Sequence, residues 1–276
     1  MEEKVAVIIL NYKTWEDTLS EIASCVDVLD IDYKDIIVVD NASPNESAEK
    51  LQQESVIKGF SFLANSINRG YAFGNNVGMR YAYARNYKYA LILNNDIIFS
   101  DNNLIDKELE IFRKDNKIAV VNTDILSPEG YLYNRDAKRP TFFDYTFGAL
   151  FYRLNGRKID DLGGYAYIYR PQGCCMMVDL EKMDKIRYMD EHTFLYCEEP
   201  ILAERLIKEN YKCALCTTEQ IIHNHSTTVS AEFDRKKRAK IITESFKYYL
   251  REYRHFNKIK TSLCLLFNNI KMRIRY

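Results

Sequence analysis

Three short polar stretches of this 276-residue chain carry residue types that can hold ions or move protons. In residues 89–99, YALILNNDIIF, an apolar run ends in Asn94, Asn95 and Asp96 before apolar residues resume. One carboxylate flanked by amides suits a divalent cation carrying a diphosphate, because hard cations take oxygen ligands and keep positions open for phosphate oxygens. Taken alone, the triplet also reads as an Asn-rich turn after a strand. Glu198 and Glu199 precede Pro200, a residue suited to a first helical turn. The positive end of a helix dipole there favours ionised carboxylates, the state a general base needs. His223 and His225 follow the apolar pair Ile221-Ile222, with Cys213 and Cys216 a short interval upstream. Thiolates and imidazoles are the usual structural zinc ligands. The cysteines, however, sit in the strand-like YKCALC, and a strand sends residues three apart to opposite faces.

The elements that must position these groups follow a repeating pattern. Val5 to Leu10 is a continuous apolar run ending at Asn11 and Tyr12, and then Trp15, Leu19, Ile22, Val26 and Leu29 recur at helical spacing. Thr14 and Asp17 resemble a capping box at that helix start. A second buried strand, Ile36 to Val39, ends at Asp40, Asn41 and Ser43, with Pro44 at a plausible first helical position. Phe60 to Leu63 is a third strand, followed by Asn65, Asn68, Arg69, Gly70 and a helix over about 71–85. The triplet's own strand is fourth, and a helix over about 104–113 leads to a fifth at Ile118 to Val121.

Strands alternating with helices imply parallel pairing with right-handed crossovers, hence a Rossmann-like, mostly parallel α/β sheet flanked by helices. In such sheets the ligand crevice lies outside the carboxyl ends of the strands, where Asn11, Asp40, Asn41 and Asn94 to Asp96 converge. No GxGxxG follows the first strand and no GxxxxGK[ST] occurs, which argues against dinucleotide-binding and P-loop enzymes. From Ser127 to Arg170 periodicity breaks down around Arg135, Lys138, Arg139, Arg153, Arg157 and Lys158. That length fits a binding loop or a surface insertion. Gly173 to Val178 is a further buried strand.

Hydrophobic content of 47% with 13% aromatics describes a globular chain and excludes disorder as the default. No stretch approaches the ~20 apolar residues of a membrane span. The N-terminal MEEKVAVIIL enters a strand pattern at once without signal-peptide organisation, so a cytoplasmic location is expected. Seven cysteines without secretory context are expected as buried thiols. The zero net charge hides an asymmetry: residues 235–276 carry 13 Lys and Arg against two acids, and the preceding 234 carry 26 against 37. This basic tail begins RKKRAK, places Ile241 or Ile242, Phe246, Tyr249 and Leu250 on one helical side, and ends LCLLFNNIKMRIRY. It reads as an amphipathic helix on an anionic membrane surface, or as a helix packed on the body with a solvated basic face. Nucleic acid is not an expected partner, since no reading motif accompanies the charge.

The order of these motifs resembles the family 2 glycosyltransferases of GT-A fold, in their rhamnosyltransferase-like branch. The residues that carry the resemblance are ILNYKTW, VVDNAS, NRGYAFGNNVGMRYA, LILNNDI, GCCMMV, FLYCEEPILAERL and IIHNHSTTVS, over residues 4–230. It implies residues 1–125 as a nucleotide-sugar-binding half, 126–234 as an acceptor-binding and catalytic half of the same domain, and 235–276 as a basic helical tail. It further implies an inverting transfer from a dTDP- or UDP-linked sugar to a hydroxyl of a saccharide or lipid-linked saccharide in surface polysaccharide synthesis. Asn11 and Tyr12 would line the nucleotide pocket, Asp40 would hydrogen-bond the base, Asn41 would contact the nucleotide or sugar, and Asn68, Gly70 and Asn75 would border nucleotide and sugar. Asp96 would ligate Mg2+ or Mn2+ with help from Asn94 or Asn95, and His223 would be a further metal ligand. Glu199, where the family usually has Asp, would be the general base, with Glu198 as the substitute. The competing readings are a nucleotidyltransferase of similar sheet topology, or a non-catalytic sugar-nucleotide-binding remnant. The enzyme would work in the cytoplasm, on the inner face of the plasma membrane if the tail binds lipid.

Overall fold

The computed structural model describes residues 3–148, 158–224 and 235–275. Its first half alternates strands and helices as the sequence pattern requires. β1 (Val5–Asn11), α1 (Trp15–Asp27), β2 (Ile36–Asp40), α2 (Ser47–Lys58), β3 (Ser61–Ala64), α3 (Tyr71–Tyr83) and β4 (Tyr89–Leu93) come in that order, with one 3-10 turn before β2. β5 (Ile97–Phe99), α4 (Leu104–Lys114) and β6 (Ile118–Leu126) follow. Then come α5 (Phe142–Tyr145), β7 (Tyr165–Ile168), β8 (Cys175–Asp179), α6 (Leu180–Lys185), α7 (Glu198–Lys208) and β9 (Lys212–His223). The chain closes with α8 (Arg235–Tyr248), a π-helical turn (Tyr249–Tyr253) and α9 (Lys258–Arg275).

One nine-stranded sheet runs in the order β3-β2-β1-β4-β8-β6-β9-β5, with β7 also paired to β9. The parallel pairing expected holds for β3, β2, β1 and β4. Beyond β4 the sheet is mixed, because β8 enters antiparallel to both β4 and β6, and β5 and β7 run antiparallel to β9. Since this sheet is continuous, the division expected near residue 125 falls inside β6.

Alternating strand residues feed two cores, one on each side of the sheet. Val7 and Ile9 pack with Ile22 and Cys25 of α1, Leu51 of α2 and Leu109 and Phe112 of α4. Ala6 and Ile8 pack with Met79 of α3, Met183 of α6 and Leu206 of α7. Each of the Val, Ile, Leu, Phe and Met side chains, fully buried, contributes about 1.5–3 kcal/mol. The same alternation splits the cysteine pair: Cys216 lies in the first core and Cys213 in the second, which rules out a shared metal. His225 lies outside the described residues. All seven cysteines are free and six are buried.

Three local expectations fail for identifiable reasons. Pro44 does not start a helix, because α2 begins at Ser47. Thr14 is the N-cap of α1, but its side chain makes no cap hydrogen bond; the hydroxyl accepts from Asn95 Nδ2 at 2.7 Å instead. β6 runs five residues past Val121 because its polar members find partners inside. Asn122 Nδ2 donates to Gln172 O at 3.0 Å, and Asp124 accepts from Arg135 Nε at 2.9 Å. Arg135 and Arg139 of the irregular segment are therefore engaged by Asp124 and Glu204, while Arg153 and Arg157 lie outside the described residues.

The tail packs on the body with the face the sequence singled out. Tyr249 and Leu250 are buried against Ile201 of α7, beside Phe246, Tyr145 and Phe142. Ser245 Oγ donates to Leu195 O at 2.8 Å, and Tyr248 OH donates to Asp190 Oδ2 at 2.8 Å. Among the described residues no helix is long and apolar enough to cross a membrane.

Candidate active site

The carboxyl ends of β1, β2 and β4 bring the predicted polar residues together, but their side chains divide into braces and presented groups. Asn11 and Asp40 are braces. Both are buried, with Asn11 Nδ2 donating to Asp40 Oδ2 at 2.7 Å. Ser43 donates to Asp40 twice, from its backbone N–H at 2.9 Å and its hydroxyl at 2.6 Å. Asp40 is buried to 1% exposure behind these partners, so in this structure its side chain ties the two strand ends together. Tyr12 lies beside this brace, half-buried, with the Lys13 ammonium 5.1 Å from its ring.

Asn41 ties the second strand end to the loop before α3. Its Nδ2 donates to Asn68 Oδ1 at 3.0 Å and to Gly70 O at 3.1 Å. Gly70 has φ +100°, and a Cβ there would lie 1.9 Å from Phe194 O. No other residue fits, so the spot where the α3 loop meets the 194 loop demands glycine. Gly74 and Gly78 serve a second need, since a Cβ at either would meet Leu10 at 2.3 Å or Ile8 at 2.5 Å. Thus α3 lies directly on β1. Asn75 is fully buried, its Nδ2 donating to Tyr71 O at 3.1 Å and its Oδ1 lacking a protein partner. Asn76 turns the other way and bonds Met189 O and Glu191.

The 94–96 triplet sends its side chains in different directions. Asn95 Nδ2 donates to Thr14 Oγ1 at 2.7 Å and Thr18 Oγ1 at 2.9 Å, so this amide braces α1. Asp96 Oδ1 lies 3.1 Å from His223 Nε2, and Asn94 Nδ2 lies 3.5 Å from the same nitrogen. Antiparallel pairing of β5 with β9 makes this meeting, with Ile97 opposite His223 and Asn224 N donating to Asp96 O at 2.9 Å. Sequence separation of 127 residues is thereby reduced to a contact.

This pair fits a divalent cation by its donor chemistry, one carboxylate oxygen and one imidazole nitrogen. Adjacent ligands of an octahedral ion with bonds of about 2.1 Å lie about 3 Å apart, close to the spacing seen. Among the described residues no cluster of three His, Cys, Asp or Glu could complete the shell. The remaining positions are left for water and ligand oxygens. Tyr133 OH lies 2.8 Å from His223 Nδ1. For Nε2 to hold a metal, Nδ1 must carry the proton and donate it to Tyr133. Burial, with the neighbouring Cys174, pushes the Tyr133 hydroxyl far up, so it stays neutral and accepts. Tyr133 escaped the sequence reading because it belongs to the segment without periodicity.

The α7 end approaches the same place through Gly173 and Cys174. Asn94 N donates to Cys174 O at 2.8 Å, and Gly173 N donates to Glu199 Oε1 at 3.4 Å. The Cys174 thiol is pushed up by burial and then by the Asp96 and Glu199 carboxylates. Tyr71 OH donates to Gly173 O at 2.5 Å and holds the joint.

The two glutamates differ sharply. Glu199 is half-buried and meets the Gly173 joint, whereas Glu198 is buried and its Oε1 has no partner. Burial pushes the Glu198 carboxyl well above the carboxylate range, and the Glu199 charge adds to it. The expectation that the helix end keeps both ionised is thus corrected for Glu198, where desolvation outweighs the dipole. Burial therefore favours the neutral form of Glu198, the form opposite to the one a general base needs.

Sequence and structural comparisons identify the family and the fold. The family model "Glycosyl transferase family 2" matches residues 6–180. The chain belongs to this family. The low-salt glycan biosynthesis hexosyltransferase Agl10 of Haloferax volcanii is 27% identical over 229 residues, which cover 81% of this chain and 68% of that protein. The mannosyltransferase PcManGT of Pyrobaculum calidifontis, solved with GDP-Man and Mn2+, superposes with TM-score 0.61 at 13% identity, over 97% of this chain and 69% of that one. GalNAc-T7, solved with UDP, GalNAc and Mn2+, gives TM-score 0.59 at 14% identity over 80% of this chain. The chain spans only 44% of the GalNAc-T7 chain. These likenesses make the fold GT-A, with its mixed sheet and flanking helices.

Proposed function

We propose that this family 2 member is an inverting hexosyltransferase that moves a sugar from a nucleoside diphosphate to a hydroxyl of a saccharide or lipid-linked saccharide. The observation that carries the reading is the Asp96–His223 pair, 3.1 Å apart, joined through Cys174 and Gly173 to Glu199. Family membership and the Agl10 likeness support hexosyl transfer in glycan biosynthesis. The Mn2+ in both solved relatives supports a divalent metal, Mg2+ or Mn2+.

Asp96 Oδ1 and His223 Nε2 would hold the cation, with Asn94 beside them and Tyr133 fixing the imidazole tautomer. When bound, such an ion neutralises charge that builds on the leaving diphosphate. The bond between the anomeric carbon and the phosphate oxygen breaks, its electron pair leaving with the nucleoside diphosphate. The acceptor oxygen bonds the opposite face of that carbon. Its proton passes to Glu199, which Gly173 N–H orients; Glu198, protonated, would shape the pocket without taking part. Asp40, Asn41, Asn68, Gly70 and Asn75 would form the donor-side frame behind Asn11 and Tyr12. Donors linked to UDP or dTDP and a role in surface polysaccharide synthesis complete the proposal. So does a cytoplasmic enzyme peripheral to the inner face of the plasma membrane.

Purified chain incubated with UDP-, dTDP- and GDP-hexoses, with Mn2+ or with chelator, tests this. Metal-dependent release of nucleoside diphosphate and a product of inverted anomeric configuration are expected. Release of pyrophosphate would instead indicate a nucleotidyltransferase, and donor binding without turnover on any saccharide or lipid-linked acceptor would indicate a non-catalytic remnant.

A further inference from the structure

Among the described residues of the tail, the last helix, α9, carries four exposed large apolar side chains. On its inner side Thr261 and Cys264 are buried, and on its flank Phe267 packs on Phe147 with ring centroids 5.1 Å apart. On its outer side Ile259, Leu263, Leu266 and Ile270 are exposed by 73, 39, 53 and 39%. Spacings of four, three and four residues put all four on one stripe, within an arc of about 60° at 3.6 residues per turn. The buried Thr261 and Cys264 point to the opposite side of the helix.

Charge indicates what covers this stripe. The helix KIKTSLCLLFNNIKMRIR holds five Lys and Arg and no acid. Lys258 and Lys260 are exposed beside the stripe's first residue, Ile259. An apolar stripe on a wholly cationic helix matches a surface that is apolar within and anionic at its boundary. A second copy meeting the same helix would bring like charges together, which is unfavourable.

We propose that α9 docks on an anionic lipid bilayer, lying parallel to it with Ile259, Leu263, Leu266 and Ile270 in the interface and the lysines at the headgroups. Of the apolar groups the sequence offered for lipid, this keeps Leu263, Leu266 and Ile270 of the terminal LCLLFNNIKMRIRY and removes Tyr249 and Leu250, which the body buries, with Phe246 packed beside them. It also sets an orientation. α5, the short helix of the acceptor half, lies against α9, and its Phe143 is 59% exposed beside Phe147, 53% exposed. The acceptor half is therefore the part brought to the membrane. The proposal deepens the peripheral-membrane part of the functional reading but does not depend on the catalytic assignments.

The test is co-sedimentation of the full chain with phosphatidylcholine vesicles, with and without phosphatidylglycerol, alongside thermal melting and sedimentation velocity. The wild-type chain is expected to bind only the anionic vesicles, and less as salt rises. Leu263→Gln/Leu266→Gln and Lys258→Gln/Lys260→Gln should each weaken binding on the order of tenfold or more. Their melting should shift by only a few degrees, since these side chains are largely exposed and Lys260 reaches only the Phe142 ring, at 5.8 Å. A wild-type chain left in the supernatant with anionic vesicles would overturn the proposal, as would either variant binding like wild type. So would a solution dimer that the leucine variant splits, because a second copy would then cover the stripe. The lysine variant leaves the stripe intact, so a folding defect in the leucine variant does not shield the proposal. Donor turnover with a soluble acceptor should be equal in all three proteins, which separates this result from the catalytic reading.

Discussion

Arg254 Nε lies 3.5 Å from Glu204 Oε1, and both side chains are almost wholly buried, at 8% and 6% exposure. Glu204 is on α7, the helix that begins with Glu198 and Glu199, so the tail reaches the element that positions the candidate base. Tyr169 OH donates to the same carboxylate at 2.7 Å, and Arg139 pairs with it from the other side. Removing Arg254 leaves a buried carboxylate with one cation fewer. Arg254→Met is expected to cost about 2–4 kcal/mol in urea unfolding. It should also lower turnover, because α7 loses its hold on the tail; unchanged unfolding would show that Arg139 alone balances Glu204.

Asp96→Asn and His223→Ala are each expected to lower turnover by about 10²-fold or more and to weaken Mn2+ binding measured by calorimetry. Chelator should reproduce the loss in wild type and change little further in the variants. Tyr133→Phe keeps the ring but removes the acceptor of the His223 proton, and about 10-fold weaker metal affinity is expected. Metal binding that survives both Asp96→Asn and His223→Ala would place the ion elsewhere.

Glu199→Gln and Glu198→Gln separate the two carboxyls. If Glu199 takes the proton, Glu199→Gln should lower kcat by about 10²–10⁴-fold while donor KM stays near wild type. Burial favours the neutral form of Glu198, which a glutamine resembles in charge and shape, so activity within a few-fold is expected. The reverse pattern would transfer the proton-accepting role to Glu198.

Burial raises the Glu21 carboxyl to about 8, with the Asp96 charge adding to the effect against a hydrogen bond from Ile97 N. A carboxyl raised on folding binds more protons in the folded chain than in the unfolded one. Its stabilisation is full below the unfolded value of about 4.3 and is lost as pH climbs toward 8. Metal-free protein should therefore lose stability over that range. Glu21→Gln keeps an acceptor for Ile97 N and should flatten the slope, gaining about 1–3 kcal/mol near pH 8. Urea unfolding at several pH values measures it; equal slopes in both proteins would refute the assignment.

Gly70→Ala meets both a disfavoured φ and the Phe194 carbonyl. A loss of about 3 kcal/mol or more, or failure to fold, is expected from thermal melts. Gly130 also has positive φ but open space around it, so Gly130→Ala should cost only about 1 kcal/mol and serves as the control.

Local pattern by itself determined the layered α/β core. Continuous apolar runs marked strands buried on both faces, helical spacing marked α1, α3 and α4, and polar residues at strand ends marked the crevice, because periodicity reports which sides of an element are shielded from water. It also delivered the family, whose motifs keep their order along the chain. What periodicity does not encode is pairing between distant segments. The antiparallel entry of β8, the register that sets Ile97 against His223, and the turn of Asn95 toward Thr14 came only from tertiary structure. So did the contrast between Glu198 and Glu199, neighbours with the same side chain at the same helix end. Their difference is one of burial, and burial is a property of everything packed around a residue.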